Sequence, residues 1–254
     1  MVSVSIPNSV LHIREGAFAD NQLTNVTIGI GVTYIGRIVF ANNELSSVTI
    51  PNSITHIGEG AFWSNLLTSV SIPSSVTRIG GQAFMNNQLT NVIIPDSVTH
   101  IGERAFSNNR LTSIAIPESV TSLGSWVFRD NQLNSILIPD TVTVIGMDMF
   151  RNNQIASVVI PDTIVSIGMG AFANNQLTGV TIPDSVTEIG SGAFANNQLA
   201  NINIGSNVSI SGGFSQSGVR YITFPHGFIE FYQAQGRRAG MYTFSNGQWT
   251  VQFR

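Results

Sequence analysis

A repeat solenoid is the fold class this sequence predicts, on three observations. Phenylalanine returns every 22 residues, at Phe18, Phe40, Phe62, Phe84, Phe106, Phe128, Phe150, Phe172 and Phe194. A Val-x-Ile segment keeps the same spacing, from Val4-Ser5-Ile6 to Ile202-Asn203-Ile204. Proline follows it at Pro7, Pro51, Pro73, Pro95, Pro117, Pro139, Pro161 and Pro183. A period between about 20 and 50 residues marks stacked coils, each unable to bury its apolar side alone.

The Val-x-Ile segments are the first element. Alternation of period two turns Val and Ile to one face and the residue between them to the other. Equivalent strands one coil apart must lie side by side, so they form a parallel sheet. With Ile222-Thr223-Phe224 there are eleven candidates. Proline ends each strand because it has no N–H for the next rung; Gly29 and Gly205 take its place in two coils. A second short strand follows, as in Val186-Thr187-Glu188-Ile189, and then a corner glycine such as Gly190. Glycine at that corner predicts a backbone angle that other residues resist. Ala-Phe-x-x-Asn, which completes the coil, predicts one helical or 3₁₀ turn with asparagine at the polar corner.

The repeat runs over residues 1–224 as about ten coils, and residues 225–254 break its register. In that tail, 241–244 and 248–253 read as two strands around Asn246-Gly247, a strong hairpin signal. Phe228, Phe231 and Tyr232 are placed to seal the apolar side of the last coil. The expected role is a C-terminal cap, with Arg237 and Arg238 the contacts if it were instead a small docking module. The coil between Ile204 and Phe224 is 20 residues long, as expected where a repeat gives way to its cap.

The consensus Leu-x-x-Val-x-Ile-Pro-x-x-Val-x-x-Ile-Gly-x-x-Ala-Phe, best preserved over Asn175–Phe194, resembles the bacterial leucine-rich repeat of the BspA-like type. The Asn-Gln-Leu-Thr corner resembles spirochaetal members. The resemblance implies a surface-exposed, non-catalytic binding or adhesion module and names no ligand. The chain opens at Met1 inside a repeat, with no signal peptide and no N-terminal cap, which raises the expectation of a longer protein. Export to the cell surface or periplasm is the localisation expected. The open first strand, Val4 to Ile6, is an edge that could pair with a second copy.

Composition narrows the function classes. Charged residues make up 10% of the chain, the net charge is −3, and no basic stripe occurs, so nucleic acid is not the expected partner. No apolar run approaches the roughly 18 residues of a membrane span. Cysteine is absent, which removes disulfides and thiolate metal sites. No cofactor motif is present. Gly29-Ile30-Gly31 has no following helix and is not a phosphate loop. Gly190-Ser191-Gly192 lacks the strand–turn–helix setting and converging histidine of a nucleophile elbow. An enzyme is therefore not expected. His12, His56 and His100 share a column but lie two coils apart, about 9.6 Å, too far to share a metal; they are expected at the surface. Trp63 and Trp126 flank the Phe corners and are expected half-buried.

Binding is expected on the outward columns of the first sheet. The residue between Val and Ile is polar in the early coils, then aliphatic in four successive ones, Ile93, Ala115, Leu137 and Val159. An apolar strip on a solenoid face marks a binding site, although β-branched residues also simply suit strands. The position after proline becomes acidic beside that strip: Asp96, Glu118, Asp140, Asp162 and Asp184. Acids there fit either turn chemistry or a rim for a basic partner. A Ca²⁺ ladder is the lesser alternative, because one column offers too few oxygens. The expected partner is a protein or other macromolecule, extracellular matrix included, that carries both apolar and basic groups. A structural spacer within a larger surface protein is the competing expectation.

Overall fold

The computed structural model describes residues 1–206, 208–211, 213–214, 220–221, 224 and 227–254. They fall into two compact units, Met1–Gln132 and Leu133–Arg254. Each is a parallel β-solenoid built from the same coil.

Unit 1 holds β1 (Ser3–Ser5), β2 (Asn25–Thr27), β3 (Tyr34–Ile35), β4 (His56–Ile57), β5 (Ser69–Ser71), β6 (Arg78–Ile79), β7 (Asn91–Ile93), β8 (His100–Ile101) and β9 (Ser122–Leu123). The Val-x-Ile strands pair in parallel as β1-β2 and β5-β7, and the intervening coil contributes the single bridge Thr49–Ser71. The second face is more continuous, β3-β4-β6-β8-β9, with every register one coil apart. Strand alternation is as the sequence predicts: Val92 and Ile94 are buried, while Asn91 and Ile93 are exposed.

Unit 2 begins with β10 (Ser135–Leu137), β11 (Val144–Ile145), β12 (Ser157–Val159), β13 (Ser166–Ile167), β14 (Gly179–Thr181), β15 (Glu188–Ile189), β16 (Asn201–Ile204) and β17 (Ser209–Ile210). It continues through β18 (Gly213–Phe214), β19 (Arg220–Tyr221), the helix α1 (Phe228–Ala234), β20 (Gly240–Ser245) and β21 (Gln248–Phe253). Of the eleventh expected strand, Ile222 and Thr223 lie outside the described residues.

The third side of the coil differs from a helical or 3₁₀ turn. It is a tight double turn in which the residues two before and two after each Phe are left-handed, as at Gln82 (φ 56°) and Asn86 (φ 55°). Successive N–H groups alternate across this turn. Those of the left-handed residues and of the Phe point to the neighbouring coil, as Gln82 N–H does to Glu103 C=O at 2.7 Å, while Ala83 N–H stays in its own coil on Gly80 C=O at 3.3 Å. Phe62 N–H donates to Ala83 C=O at 2.8 Å, and Phe84 N–H to Ala105 C=O at 2.9 Å. Hydrogen bonds therefore run between coils here as well, where a helical turn would have kept them within one coil.

Two side-chain ladders fill the interior. In unit 1 the Phe rings stack nearly parallel, with centroids 5.4 Å apart for Phe62–Phe84 and 5.5 Å for Phe84–Phe106. In unit 2 the stack passes from Phe194 to Phe224 at 5.1 Å and ends edge-on against Phe228 at 4.9 Å. Beside the rings runs a buried asparagine ladder. Asn87 Nδ2 donates to the carbonyls of Phe62 (2.9 Å), Phe84 (3.2 Å) and Met85 (3.3 Å), and its Oδ1 accepts from Leu67 N–H at 3.0 Å. One amide thus bonds four backbone groups and is the partner of Leu67 N–H at a buried corner, while the ladder's next members share the carbonyls.

The corner glycine owes its place to crowding and not to an unusual angle. Gly102 is not left-handed, yet a Cβ there would fall 2.3 Å from Gly81 N and 2.7 Å from Gly80 C. Gly190 meets Met169 N at 2.4 Å in the same way. Successive coils touch backbone to backbone along this corner.

Beyond the last coil, the hairpin predicted around Asn246-Gly247 forms as β20 and β21. It joins the first-face sheet by antiparallel pairing of β20 with β16, giving the order β14-β16-β20-β21. The helix α1 was not legible in the sequence. It buries Phe228 and Tyr232, with Phe231 half-buried. Tyr232 OH donates to Gly205 C=O at 2.7 Å and accepts from Val208 N–H at 3.3 Å.

Candidate functional site

The strand register places the expected apolar column on the solvent side. In unit 1, Ile93 is 74% exposed, and Ala115 lies exposed in the equivalent place of the following coil. In unit 2, Leu137 and Val159 are direct neighbours across β10 and β12, at 72% and 73% exposure. Side chains this open contribute little to either core.

The acidic column is exposed throughout: Asp96 and Glu118 in unit 1, Asp140, Asp162 and Asp184 in unit 2. The turn they occupy is closed without them. Val98 N–H donates to Pro95 C=O at 3.0 Å, and the hydroxyl of Ser97 donates to Val76 C=O of the preceding coil at 2.6 Å. The same pattern recurs at Val186, Pro183 and Ser185. Turn chemistry consequently does not account for the carboxylates. Neighbouring like charges about 5 Å apart repel by roughly 0.8 kcal/mol even under bulk-water screening.

Column and rim come together in a shallow hollow in each unit. The hollow of unit 1, about 390 Å³, is lined by Ile93, Ala115, Asp96, Asn91, Ser113 and Pro117 among others. That of unit 2, about 690 Å³, is lined by Val159, Asp162, Thr181, Pro183, Asp184 and Arg254 among others. Glu118, Leu137 and Asp140 sit outside these linings. Arg254 is the member that sequence reasoning missed. Its Nη2 stands 3.3 Å from Asp184 Oδ1, across 70 residues of chain. No local pattern reveals such a contact, because it depends on how the hairpin pairs with β16. The expected docking residue Arg238 lies over the Phe253 ring at 3.7 Å, and its carbonyl accepts from Tyr242 OH at 2.7 Å.

The histidine column is only partly at the surface. His12 is exposed, whereas His56 and His100 are half-buried, their Nδ1 atoms 2.9 Å and 2.7 Å from the hydroxyls of Thr55 and Thr99. Trp63 and Trp126 are half-buried. Among the described residues, no three of His, Asp and Glu converge to hold a metal ion, and no helix is long and apolar enough to cross a membrane.

Similar architectures occur in solved structures. A leucine-rich repeat protein from Bacteroides ovatus superposes with a TM-score of 0.68 at 27% identity, over 82% of this chain and 59% of that one. The pneumococcal vaccine antigen PcpA shares the fold, with a TM-score of 0.52 at 17% identity over 82% of this chain and 73% of that one. This chain thus spans less than two thirds of the Bacteroides protein. Among curated proteins, no sequence matches it. The family described as the BspA type leucine rich repeat region matches residues 1–111 and 99–217. With the 22-residue coil, the Phe stack and the family match in agreement, the chain belongs to the BspA-type leucine-rich repeat proteins.

Proposed function

We infer that this chain is a non-catalytic adhesion module, exported to the cell surface, which engages a protein partner through the first-face sheet. Leucine-rich repeat proteins are generally protein-interaction modules, and those of the BspA type are commonly surface-associated. The finer reading rests on one observation. Exposed aliphatic side chains lie beside carboxylates that serve no turn, and among the described residues Asp96, Glu118, Asp140 and Asp162 have no hydrogen bond or ion pair. Such a surface suits an extended segment carrying apolar and basic groups, extracellular-matrix proteins included. Arg254 against Asp184 supports this choice, since it sets a guanidinium in the same hollow as Val159.

The test is a binding screen of the purified chain against matrix and envelope proteins, run beside the double variant Ile93→Asp, Leu137→Asp. Both substitutions fall on exposed positions, so circular dichroism and the melting temperature should be unchanged within about 0.5 kcal/mol of stability. The expected result is a partner lost in the variant, whose affinity for wild type weakens as salt rises. A partner retained in the variant would move the site off this face. No partner at all would leave the chain a spacer between other parts of a surface protein.

A further inference from the structure

The hairpin that prolongs the unit 2 sheet leaves β21 on its border, the last strand in the order β14-β16-β20-β21. Register decides which of its backbone groups face outward. Arg254 N–H donates to Ala239 C=O at 3.2 Å, and Phe253 stands opposite Gly240. Antiparallel neighbours alternate between bonded and non-bonded pairs. The set 248, 250, 252 and 254 therefore directs its N–H and C=O groups to β20. The alternate set, centred on Val251, directs its groups to the outer side.

Border strands are normally guarded by charge, proline, a bulge or a covering segment. β21 reads Gln-Trp-Thr-Val-Gln-Phe, six residues with no charge and no proline, in an unbroken ladder with β20. Val251 and Phe253 are only half-buried along it.

We propose that β21 is the seam of a homodimer, in which the β21 of a second copy pairs antiparallel about a two-fold axis through Val251. The sequence of the strand favours a second copy over an unrelated chain. That axis sets Val251 opposite Val251 and Trp249 opposite Phe253, an aromatic cross-strand pair of the kind that stabilises sheets. Thr250 then faces Gln252, and Gln248 faces Arg254, so no like charges meet. The outward-directed set is symmetric about the same residue. Each copy's donors thus find the other's acceptors, and the isologous contact closes after two copies. This seam is distinct from the first-strand edge at Ser3–Ser5.

Cysteine is absent from the chain, which makes single-cysteine cross-linking clean. In Val251→Cys the two copies would bring Cα atoms to about 5.5 Å, within the roughly 4.4–6.8 Å that a disulfide spans. In Gln248→Cys the same atoms lie six residues apart, about 20 Å. Under mild oxidation the first variant should cross-link faster than the second by on the order of tenfold or more. Wild type should show a concentration-dependent dimer in sedimentation equilibrium. Val251→Pro, which removes an outward N–H and no bond to β20, should be monomeric with an unchanged circular dichroism spectrum. A monomer at every concentration would overturn the proposal. So would a dimer that survives Val251→Pro, or cysteine variants that cross-link equally. Should Val251→Pro fail to fold, the two cysteine variants decide alone.

Discussion

A single side chain shows how tightly each coil is specified. Asn87 spans two coils, with three donations and one acceptance, all buried but the partly buried bond to Met85. Truncation to Ala would strand Leu67 N–H, while the carbonyls of Phe62, Phe84 and Met85 keep donors in Asn65 Nδ2, Asn109 Nδ2 and Ser64 N–H; an unsatisfied buried group costs about 1–3 kcal/mol. With one buried group left unsatisfied, Asn87→Ala should lower the unfolding free energy by about 1–3 kcal/mol, as measured by urea titration. Asn86, one residue earlier, tells the opposite story. It is half-buried, its Oδ1 accepts from Asn108 Nδ2 at 2.8 Å at the exposed corner, and its backbone takes the left-handed angle (φ 55°) that asparagine tolerates. Two adjacent asparagines thus do different work. The sequence pattern showed that both recur but could not show which was buried. Gly102 makes the same point. Its recurrence was legible, but its cause is a contact with Gly81 in another coil, and periodicity carries no information on distance between coils.

Among the elements, the terminal hairpin was the most legible and its attachment the least. Asn246-Gly247 between two alternating runs announced β20 and β21, because turn type is set by residues adjacent in sequence. Joining β16 to β20 depends on contacts some 40 residues apart, and α1, seven residues long, is too short to display a periodicity. The strip and rim were legible as columns for the reason that repeats convert sequence spacing into spatial register; Arg254, outside the repeat, was not. Tyr242 and Tyr232 make the hairpin and helix sensitive to alkali. Burial, followed by the nearby Tyr232, pushes the Tyr242 phenol from 10.0 up to about 12, and burial also raises Tyr232. Between these values the unfolded chain has lost a proton that the folded chain keeps, so stability falls as pH rises. Below pH 10 these groups contribute no slope. The expected outcome is a melting temperature that is flat in this respect up to about pH 10 and declines towards pH 12, with tyrosinate absorbance appearing together with unfolding.

For the molecule as a whole, identical coils make stability a sum of coil terms and interfaces. Removing one full period, residues 64–85, would join Trp63 to Asn86 and keep every ladder in register. The shortened chain should remain folded, with a circular dichroism spectrum of the same shape and a lower denaturant midpoint. Removing residues 75–85 would put Asn87 and Thr90 where Val76 and Ile79 belong, and that chain should not fold cooperatively.

The bonds that join one coil to the next, on the two strand faces, the turn side and the asparagine column, all lie nearly along the stacking direction of each unit. A tensile load along that direction would therefore act on one coil's bonds at a time, as in opening a zip, and would never load all coils in parallel. Each rupture frees 22 residues, about 75 Å of extended chain at roughly 3.4 Å per residue. Under pulling, a unit of this kind should lengthen in a series of low, evenly spaced steps, taking up strain gradually where a sandwich domain of the same size would resist and then give way at once.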